Sequence, residues 1–138
     1  MKPLYQTTVK VIGGRDGHIK SEDGVLDIEV RIPKEMGGVS GYTNPEQLFA
    51  GGYAACFDSA LNVVMRNEKI KPEAPSEITA TVYLGSNYNG GYQLAVKLVI
   101  HIPGIDLETA KDLTEKAHQV CPYSNATRGN IDVVLEVI

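Results

Sequence analysis

The chain of 138 residues is long enough for one domain with a buried core, and 43% hydrophobic with 22% charged residues is typical of a globular protein. The net charge is −4 and the lysines and arginines are scattered, so the basic patch of a nucleic-acid-binding protein is absent. No apolar run approaches the roughly 20 residues that cross a bilayer, and the N-terminus lacks the apolar segment of a signal peptide, so we expect a cytoplasmic protein that binds neither nucleic acid nor membrane.

The first third of the chain predicts an antiparallel meander of strands. Residues 3–12 and 25–32 alternate polar and apolar side chains, which indicates two strands with one buried face each. Residues 13–17 are rich in glycine and predict a turn, and residues 18–21 can return as a short strand. Residues 33–43 are again rich in glycine and predict a loop.

A long helix is predicted from Pro45 to about Lys71. Asn44 is a favourable N-cap, proline suits the first helical position, and Gln47 can complete a capping box. Pro72 forbids continuation of the helix. The buried stripe expected at i, i+4 spacing consists of Leu48, Gly52, Cys56, Ala60 and Val64, and Phe49, Tyr53 and Val63 are expected to widen that face.

The second half of the chain predicts two further strands, at residues 76–84 and 92–102. Asp106 is then a favourable N-cap for a second helix, which Pro122 stops. A turn through residues 123–130 leads to a last strand at residues 131–138. This order of elements predicts a single α+β domain over residues 1–138, with antiparallel sheet.

Two cysteines are too few for the disulfide framework of a secreted protein. Cys56 lies in the middle of the first predicted helix on its buried face, where burial raises the pKa of a thiol and neither helix end assists ionisation. A reactive Cys56 therefore requires a cation from another segment, and Arg15 in the glycine-rich turn is the candidate. The alternative for Cys56 is a buried, inert cysteine, and the alternative for Arg15 is a solvated side chain at the tip of a hairpin.

Glu46 and Cys121 are the other residues of interest. Glu46 precedes Cys56 by ten residues, about 15 Å along a straight helix, so it could assist the Cys56 of a symmetry-related subunit or merely favour the helix dipole. Cys121 lies at a predicted helix C-terminus, where the dipole disfavours a thiolate. That position suits a resolving cysteine that attacks a sulfenic acid, and equally a buried structural thiol.

The remaining polar residues indicate neither a metal site nor a bound cofactor. His18, His101 and His118 have no metal-ligand spacing with each other or with the cysteines. Ser59 and Ser124 lie outside any nucleophile-elbow motif.

Five segments together resemble the organic hydroperoxide resistance (Ohr) branch of the OsmC-like family. They are GRDGH at 14–18, PKEMGG at 33–38, TNPEQLFA at 43–50, GYAACF at 52–57 and CPYSNATRGN at 121–130. All five occur in order over nearly the whole chain, which makes the resemblance specific. Gly51 is a departure, since the family pattern leads us to expect alanine there.

The resemblance implies a thiol peroxidase in which Cys56 is the peroxidatic cysteine and Cys121 the resolving cysteine, joined by a disulfide during turnover. Arg15 would hold and activate the Cys56 thiolate, and Glu46 would fix Arg15 through a salt bridge. The implied fold is an intertwined homodimer whose antiparallel sheets wrap around two central helices, with each active site at the subunit interface. The implied substrates are alkyl and fatty-acid hydroperoxides, and the implied reductant is a dihydrolipoyl group or lipoylated protein.

Three alternatives remain open at this stage. The first is a peroxidase of the broader OsmC branch with wider peroxide tolerance. The second is a non-catalytic stress protein that binds a lipid in an apolar pocket. The third is a redox sensor that is oxidised stoichiometrically and signals to a partner.

Overall fold

The computed structural model describes all 138 residues, as two compact units of residues 1–48 and residues 49–138. The first unit contains an antiparallel sheet of three strands, β1 (Val9–Ile12), β2 (Gly17–Ser21) and β3 (Asp27–Val30), in the order β1-β2-β3. The predicted meander is confirmed, although β1 begins six residues later than expected. Two short 3-10 turns, Gly14–Asp16 and Lys34–Met36, interrupt the predicted loops.

Glycines determine the turn between β1 and β2. Gly13 and Gly14 have φ angles of 86° and 58°, a region that side chains with a Cβ rarely adopt. At Gly17 a Cβ atom would lie 1.9 Å from the carbonyl oxygen of Ile12, so the two strands approach too closely for any other residue. The turn therefore carries Arg15 at the centre of a closely constrained segment of backbone.

The long helix, α1 (Pro45–Asn67), begins as predicted and ends four residues early. Asn44 caps it, since its Oδ1 accepts a hydrogen bond from the Gln47 N–H at 2.9 Å. The reciprocal capping-box bond is replaced, because Gln47 Oε1 accepts from the Thr43 hydroxyl at 2.9 Å. Lys69 adopts a left-handed conformation with φ 58°, which closes the helix before the prolines are reached.

The buried face of α1 is rotated relative to the prediction. Tyr53, Ala60 and Val64 are buried as expected, but Cys56 is half-buried at the margin and Val63 is exposed. The buried residues of the helix are Tyr53, Phe57, Ala60, Leu61, Val64 and Met65. Burying the large aromatic and aliphatic side chains removes more apolar surface from water than burying glycine and cysteine, and this decides the face.

By length and composition alone, α1 is also apolar enough to cross a membrane, contrary to the expectation from sequence. Core helices of soluble proteins meet the same criterion, and one face of α1 is part of the core of the second unit.

The second unit contains a sheet of three strands in the order β4-β5-β6, formed by β4 (Glu77–Ser86), β5 (Tyr92–His101) and β6 (Val133–Val137). β4 and β5 form an antiparallel hairpin, whereas β6 pairs with β5 in parallel, with Leu98 opposite Leu135. The prediction of a purely antiparallel sheet is therefore wrong for the last strand. The chain crosses between β5 and β6 through helices, and such a crossover is the connection that parallel strands require.

That crossover consists of α2 (Leu107–Val120) and α3 (Pro122–Thr127). Asp106 caps α2 as predicted, accepting a hydrogen bond from the Thr109 N–H at 3.0 Å. The turn predicted after Pro122 is instead a short helix, because proline stops α2 and is also a favourable first residue for α3. α1, α2 and the β4-β5-β6 sheet share one hydrophobic core, in which Leu61, Leu98 and Leu113 are fully buried. The α+β fold class is confirmed.

Candidate functional site

Arg15 and Glu46 form a bidentate ion pair within the first unit. Arg15 Nη1 donates to Glu46 Oε2 at 2.8 Å and Nη2 donates to Oε1 at 2.5 Å. The Glu46 side chain is 17% exposed and that of Arg15 is 39% exposed, so the pair is partly shielded from water. The Arg15 hydrogen bonds lower the pKa of Glu46 and outweigh burial, which acts in the opposite direction. Both groups are therefore charged at neutral pH, and the guanidinium plane is fixed by its carboxylate partner.

Arg31 supports the turn that carries Arg15. Its Nη1 donates to the carbonyl oxygen of Gly17 at 3.1 Å, and its Nε lies 3.1 Å from Asp16 Oδ1. The guanidinium also stacks 4.7 Å from the centroid of the Tyr42 ring. Sequence reasoning missed this residue, because an arginine on the polar side of an alternating strand looks like any solvated side chain.

Cys56 and Cys121 are both free thiols in the second unit. Cys56 is half-buried on α1, and Cys121 is fully buried at the junction of α2 and α3. The backbone of Cys121 belongs to both helices, since its N–H donates to Ala117 and its carbonyl oxygen accepts from Asn125, each at 2.9 Å. The two thiols are close enough for Cys121 to affect the ionisation of Cys56.

The surroundings of Cys56 favour its neutral thiol. Burial raises the pKa of Cys56 above its ordinary value, and the Tyr123 backbone N–H acts against this by donating a hydrogen bond to the sulfur. The Cys121 thiol makes a further, smaller upward contribution. The second unit therefore does not by itself produce a thiolate at neutral pH, which agrees with the argument from sequence that a cation must come from elsewhere.

A cluster of buried hydroxyl groups joins α1 to α3 beside the two cysteines. Tyr53 Oη lies 2.9 Å from Ser124 Oγ and 3.1 Å from Thr127 Oγ1. Thr127 Oγ1 also donates to the carbonyl oxygen of Tyr123 at 3.0 Å. Sequence reasoning set Ser124 aside as a nucleophile and did not predict this cluster. The available signal was the hydroxyl pair three residues apart in the 121–130 segment, which falls on one face if that segment is helical.

Three aromatic rings pack around the same region. The Tyr123 ring lies 5.9 Å from that of Phe49 and 5.6 Å from that of Tyr53, centroid to centroid. Tyr123 also covers Gly52, where a Cβ atom would lie 2.9 Å from its hydroxyl oxygen. Gly52 is one turn before Cys56 on α1, so this contact positions the aromatic side chain next to the candidate nucleophile.

His18 and His101 lie on β2 and β5, whereas His118 lies in the last turn of α2, three residues before Cys121. His18 contacts Asp27 at 2.5 Å, and His101 Nδ1 lies 3.2 Å from the carbonyl oxygen of Ile138. Burial lowers the pKa of His118, with a further contribution from Arg128. No group of three or more His, Cys, Asp or Glu side chains is placed to hold a metal ion.

Comparison with known proteins places these residues in a family. The OsmC-like protein family model matches residues 37–136. The chain is 48% identical over 135 residues to an organic hydroperoxide resistance protein of Xanthomonas axonopodis pv. citri, covering 97% of this chain and 94% of the relative. It is also 48% identical over 139 residues to the organic hydroperoxide resistance protein OhrA of Bacillus subtilis, covering 99% and 97%. The chain belongs to the OsmC/Ohr family.

Solved structures support the same assignment for this OsmC/Ohr protein. An organic hydroperoxide resistance protein from Elizabethkingia anophelis matches with a TM-score of 0.95 and 57% identity, covering 99% of this chain and 98% of that one. OhrB of Bacillus subtilis matches with a TM-score of 0.89 and 45% identity, covering 99% and 100%. The resemblance found from the five sequence segments is confirmed.

Within this OsmC/Ohr fold, the four predicted site residues form two pairs. Arg15 and Glu46 are joined by the ion pair of the first unit. Cys56 and Cys121 are neighbours in the second unit.

Proposed function

We propose that this protein is a thiol-dependent peroxidase that reduces organic hydroperoxides to alcohols. The observation that carries the proposal is the pairing of two free thiols, Cys56 and Cys121, across the junction between α1 and the α2–α3 segment. Cytosolic cysteine pairs that can oxidise to each other are usually catalytic or redox-sensing. The names of the Xanthomonas and Bacillus relatives, which refer to organic hydroperoxide resistance, support the substrate class.

The proposed cycle has three balanced steps. The Cys56 thiolate attacks the distal oxygen of the hydroperoxide, the O–O bond breaks, and the alkoxide takes up a proton and leaves as the alcohol. The Cys56 sulfur is thereby oxidised to sulfenic acid. The Cys121 thiol then forms an S–S bond with that sulfur, and the sulfenic oxygen leaves as water with the thiol proton. A dithiol such as a dihydrolipoyl group, free or on a lipoylated protein, reduces the disulfide by exchange and is itself oxidised.

Arg15 is the proposed activating cation. Since burial raises the pKa of Cys56, a positive charge is needed to hold the thiolate at neutral pH. The guanidinium would also stabilise negative charge that develops on the departing alkoxide oxygen. Glu46 fixes its orientation through two charge-assisted hydrogen bonds, so little side-chain freedom remains to be lost when substrate binds.

A homodimer is part of the proposal. Every residue of β1 is exposed, although Val9, Val11 and Ile12 are apolar, and β1 is an edge strand of its sheet. Leu4 and Tyr5 continue this exposed apolar surface toward the N-terminus. Apolar edges of this kind are usually covered, and a second copy of the chain that wraps its strands around the first would cover them. In such an intertwined dimer, Arg15 could act on Cys56 of either subunit in the cytoplasmic enzyme.

The test is steady-state reduction of cumene hydroperoxide driven by dihydrolipoamide, with Cys56→Ser and Cys121→Ser measured beside the wild type. We expect turnover in the wild type and none with Cys56→Ser. Cys121→Ser should release one equivalent of alcohol, and dihydrolipoamide should then recycle it inefficiently. Hydrogen peroxide in place of cumene hydroperoxide should be reduced more slowly. Glutathione and thioredoxin in place of dihydrolipoamide should support less turnover.

Two outcomes would contradict the proposal. Wild-type protein that shows no peroxide consumption with dihydrolipoamide or dithiothreitol is not a peroxidase. Peroxide treatment that leaves both Cys56 and Cys121 open to alkylation excludes the disulfide intermediate. Equal rates on hydrogen peroxide and cumene hydroperoxide would instead indicate the broader OsmC specificity.

A further inference from the structure

The hydroxyl groups of Tyr53, Ser124 and Thr127, here called the hydroxyl cluster, form a polar site inside the core of the second unit. Tyr53 and Ser124 are fully buried and Thr127 is 5% exposed. Each hydroxyl of the cluster has a hydrogen-bond partner within 3.1 Å. The cluster takes no part in the proposed proton transfers, so we looked for a structural role in the contacts that its hydroxyl groups make.

The hydroxyl cluster links the segments that carry the two cysteines. Tyr53 is three residues before Cys56 on α1, and Ser124 is three residues after Cys121. About one helical turn therefore separates Cys56 from Tyr53, and about one turn separates Cys121 from Ser124. The side-chain hydrogen bonds between α1 and α3 are those that Tyr53 makes to Ser124 and Thr127.

α3 depends on such contacts for its position. It has six residues, far below the roughly 12 that an isolated helix needs to be even marginally stable in water. Apolar packing alone allows small rotations and translations of so short an element, whereas a buried hydroxyl must keep its partner or lose a hydrogen bond. The hydroxyl cluster thus restricts α3 to the placement in which Cys121, buried in the core, neighbours Cys56, which packs against that core.

We propose that the hydroxyl cluster positions Cys121 against Cys56 for disulfide formation, so that Tyr53, Ser124 and Thr127 are positioning residues of the resolving step. The inference rests on the proposed peroxidase cycle for its role in turnover, but its geometric content is independent of peroxide. In the resolving step, S–S bond formation and loss of the sulfenic oxygen require the Cys121 sulfur to approach on the line of the S–O bond. If α3 were free to shift, disulfide formation would be slower, and a second peroxide molecule would oxidise the Cys56 sulfenic acid to sulfinic acid.

The first experiment measures the thiol–disulfide equilibrium of the Cys56–Cys121 pair in glutathione redox buffers, without peroxide. The variants are Tyr53→Phe, which keeps the ring and removes the hydroxyl, and Ser124→Ala. The control is Ile100→Val, which removes one methyl group from a fully buried residue of β5 in the same core. We expect the effective concentration of the two thiols to fall by about fivefold in each hydroxyl variant, which corresponds to the net free energy of one hydrogen bond. It should stay at the wild-type value in Ile100→Val.

The second experiment follows a single turnover with cumene hydroperoxide, trapping sulfenic acid with dimedone and counting disulfide and sulfinic acid by mass spectrometry. In Tyr53→Phe and Ser124→Ala the resolving step should slow by about fivefold more than the peroxide step, and sulfinic acid should accumulate. The Ile100→Val control should keep the wild-type partition between disulfide and sulfinic acid.

The outcomes separate the positioning role from the peroxidase proposal. A wild type that reduces no peroxide, combined with a lower effective thiol concentration in both hydroxyl variants, overturns the proposed function and supports the positioning role. Hydroxyl variants with the wild-type equilibrium constant overturn the positioning role, whatever the peroxidase result. An equal loss in Ile100→Val also overturns it, since the effect would then reflect general loosening of the core. If Tyr53→Phe fails to fold, Ser124→Ala decides between these results.

Discussion

The close packing of Tyr123 over α1 can be tested by placing an alanine at each of two adjacent glycines. At Gly52 a Cβ atom would lie 2.9 Å from the Tyr123 hydroxyl oxygen and 3.4 Å from the Cζ carbon of the same ring. At Gly51 a Cβ atom would meet no other atom within 4 Å. Both glycines lie inside α1, and neither has a positive φ. The two substitutions therefore add the same methyl group to the same helix in different surroundings.

The expected magnitudes follow from two opposing effects. Alanine in place of glycine within a helix stabilises by about 0.5–1 kcal/mol, so Gly51→Ala should raise the free energy of unfolding by that amount. Gly52→Ala gains the same helix propensity but forces the Tyr123 ring away from Phe49 and Tyr53. Overpacking of this kind costs about 1–3 kcal/mol. The net result for Gly52→Ala is a destabilisation between about zero and 2.5 kcal/mol.

The assay is urea unfolding followed by far-ultraviolet circular dichroism, at one fixed protein concentration because dimer stability depends on concentration. A third variant combines Gly52→Ala with Tyr123→Phe and removes the oxygen that clashes, leaving Cζ at 3.4 Å as the nearest atom. The destabilisation caused by Gly52→Ala should be smaller when it is measured against Tyr123→Phe than when it is measured against the wild type. If Gly52→Ala stabilises as much as Gly51→Ala, the ring does not pack over Gly52 and the reasoning fails.

Three further predictions concern charge and capping. Arg15→Ala should raise the pKa of Cys56 and slow hydroperoxide reduction at neutral pH, with activity returning as pH rises; an unchanged thiolate titration by ultraviolet absorbance would refute the proposed activation. Arg15→Lys should give an intermediate pKa, since it keeps the charge and loses the bidentate geometry. The pKa of Glu46 is lowered by Arg15, so its contribution to stability is present above the unfolded-state pKa of about 4.3 and is lost as pH falls through the lower folded-state value. The stability advantage of the wild type over Glu46→Gln, measured by urea unfolding at a series of pH values, should therefore shrink in acid, and parallel pH curves would contradict the ion pair. Asp106→Ala should lower the urea midpoint by removing the bond to the Thr109 N–H, whereas Asp106→Asn keeps an acceptor and should remain near the wild type.

Much of the fold follows from local signals in the sequence. Asn44 and Asp106 were predicted as helix caps, and both accept the capping hydrogen bonds expected of them. The glycines of residues 13–17 predicted a turn, and the alternating residues around it predicted strands. These features depend on a few adjacent residues, whose backbone preferences and hydrogen bonds are decided within one or two turns of chain.

The errors lie where distant segments compete for the same space. The buried face of α1 is centred on Phe57 rather than Cys56, since the core beneath it accepts the larger side chains. β6 lies parallel to β5 because the α2–α3 segment carries the chain back along the sheet. The end of α1 at Asn67 was also missed, because the left-handed Lys69 that follows it carries no sequence signal comparable to that of glycine.

The sequence by itself determined the family and the two cysteines, and it leads to the prediction that a cation acts on Cys56, because these depend on residue identity, order and spacing. The resemblance implied the Cys56–Cys121 and Arg15–Glu46 pairings, but only the tertiary structure shows that Glu46 binds both terminal nitrogens of Arg15 and that Tyr53 binds Ser124. The Arg15–Glu46 and Tyr53–Ser124 hydrogen bonds join residues that are 31 and 71 positions apart in the sequence. Such contacts form only when the whole core packs, since no local preference brings residues so distant in sequence together.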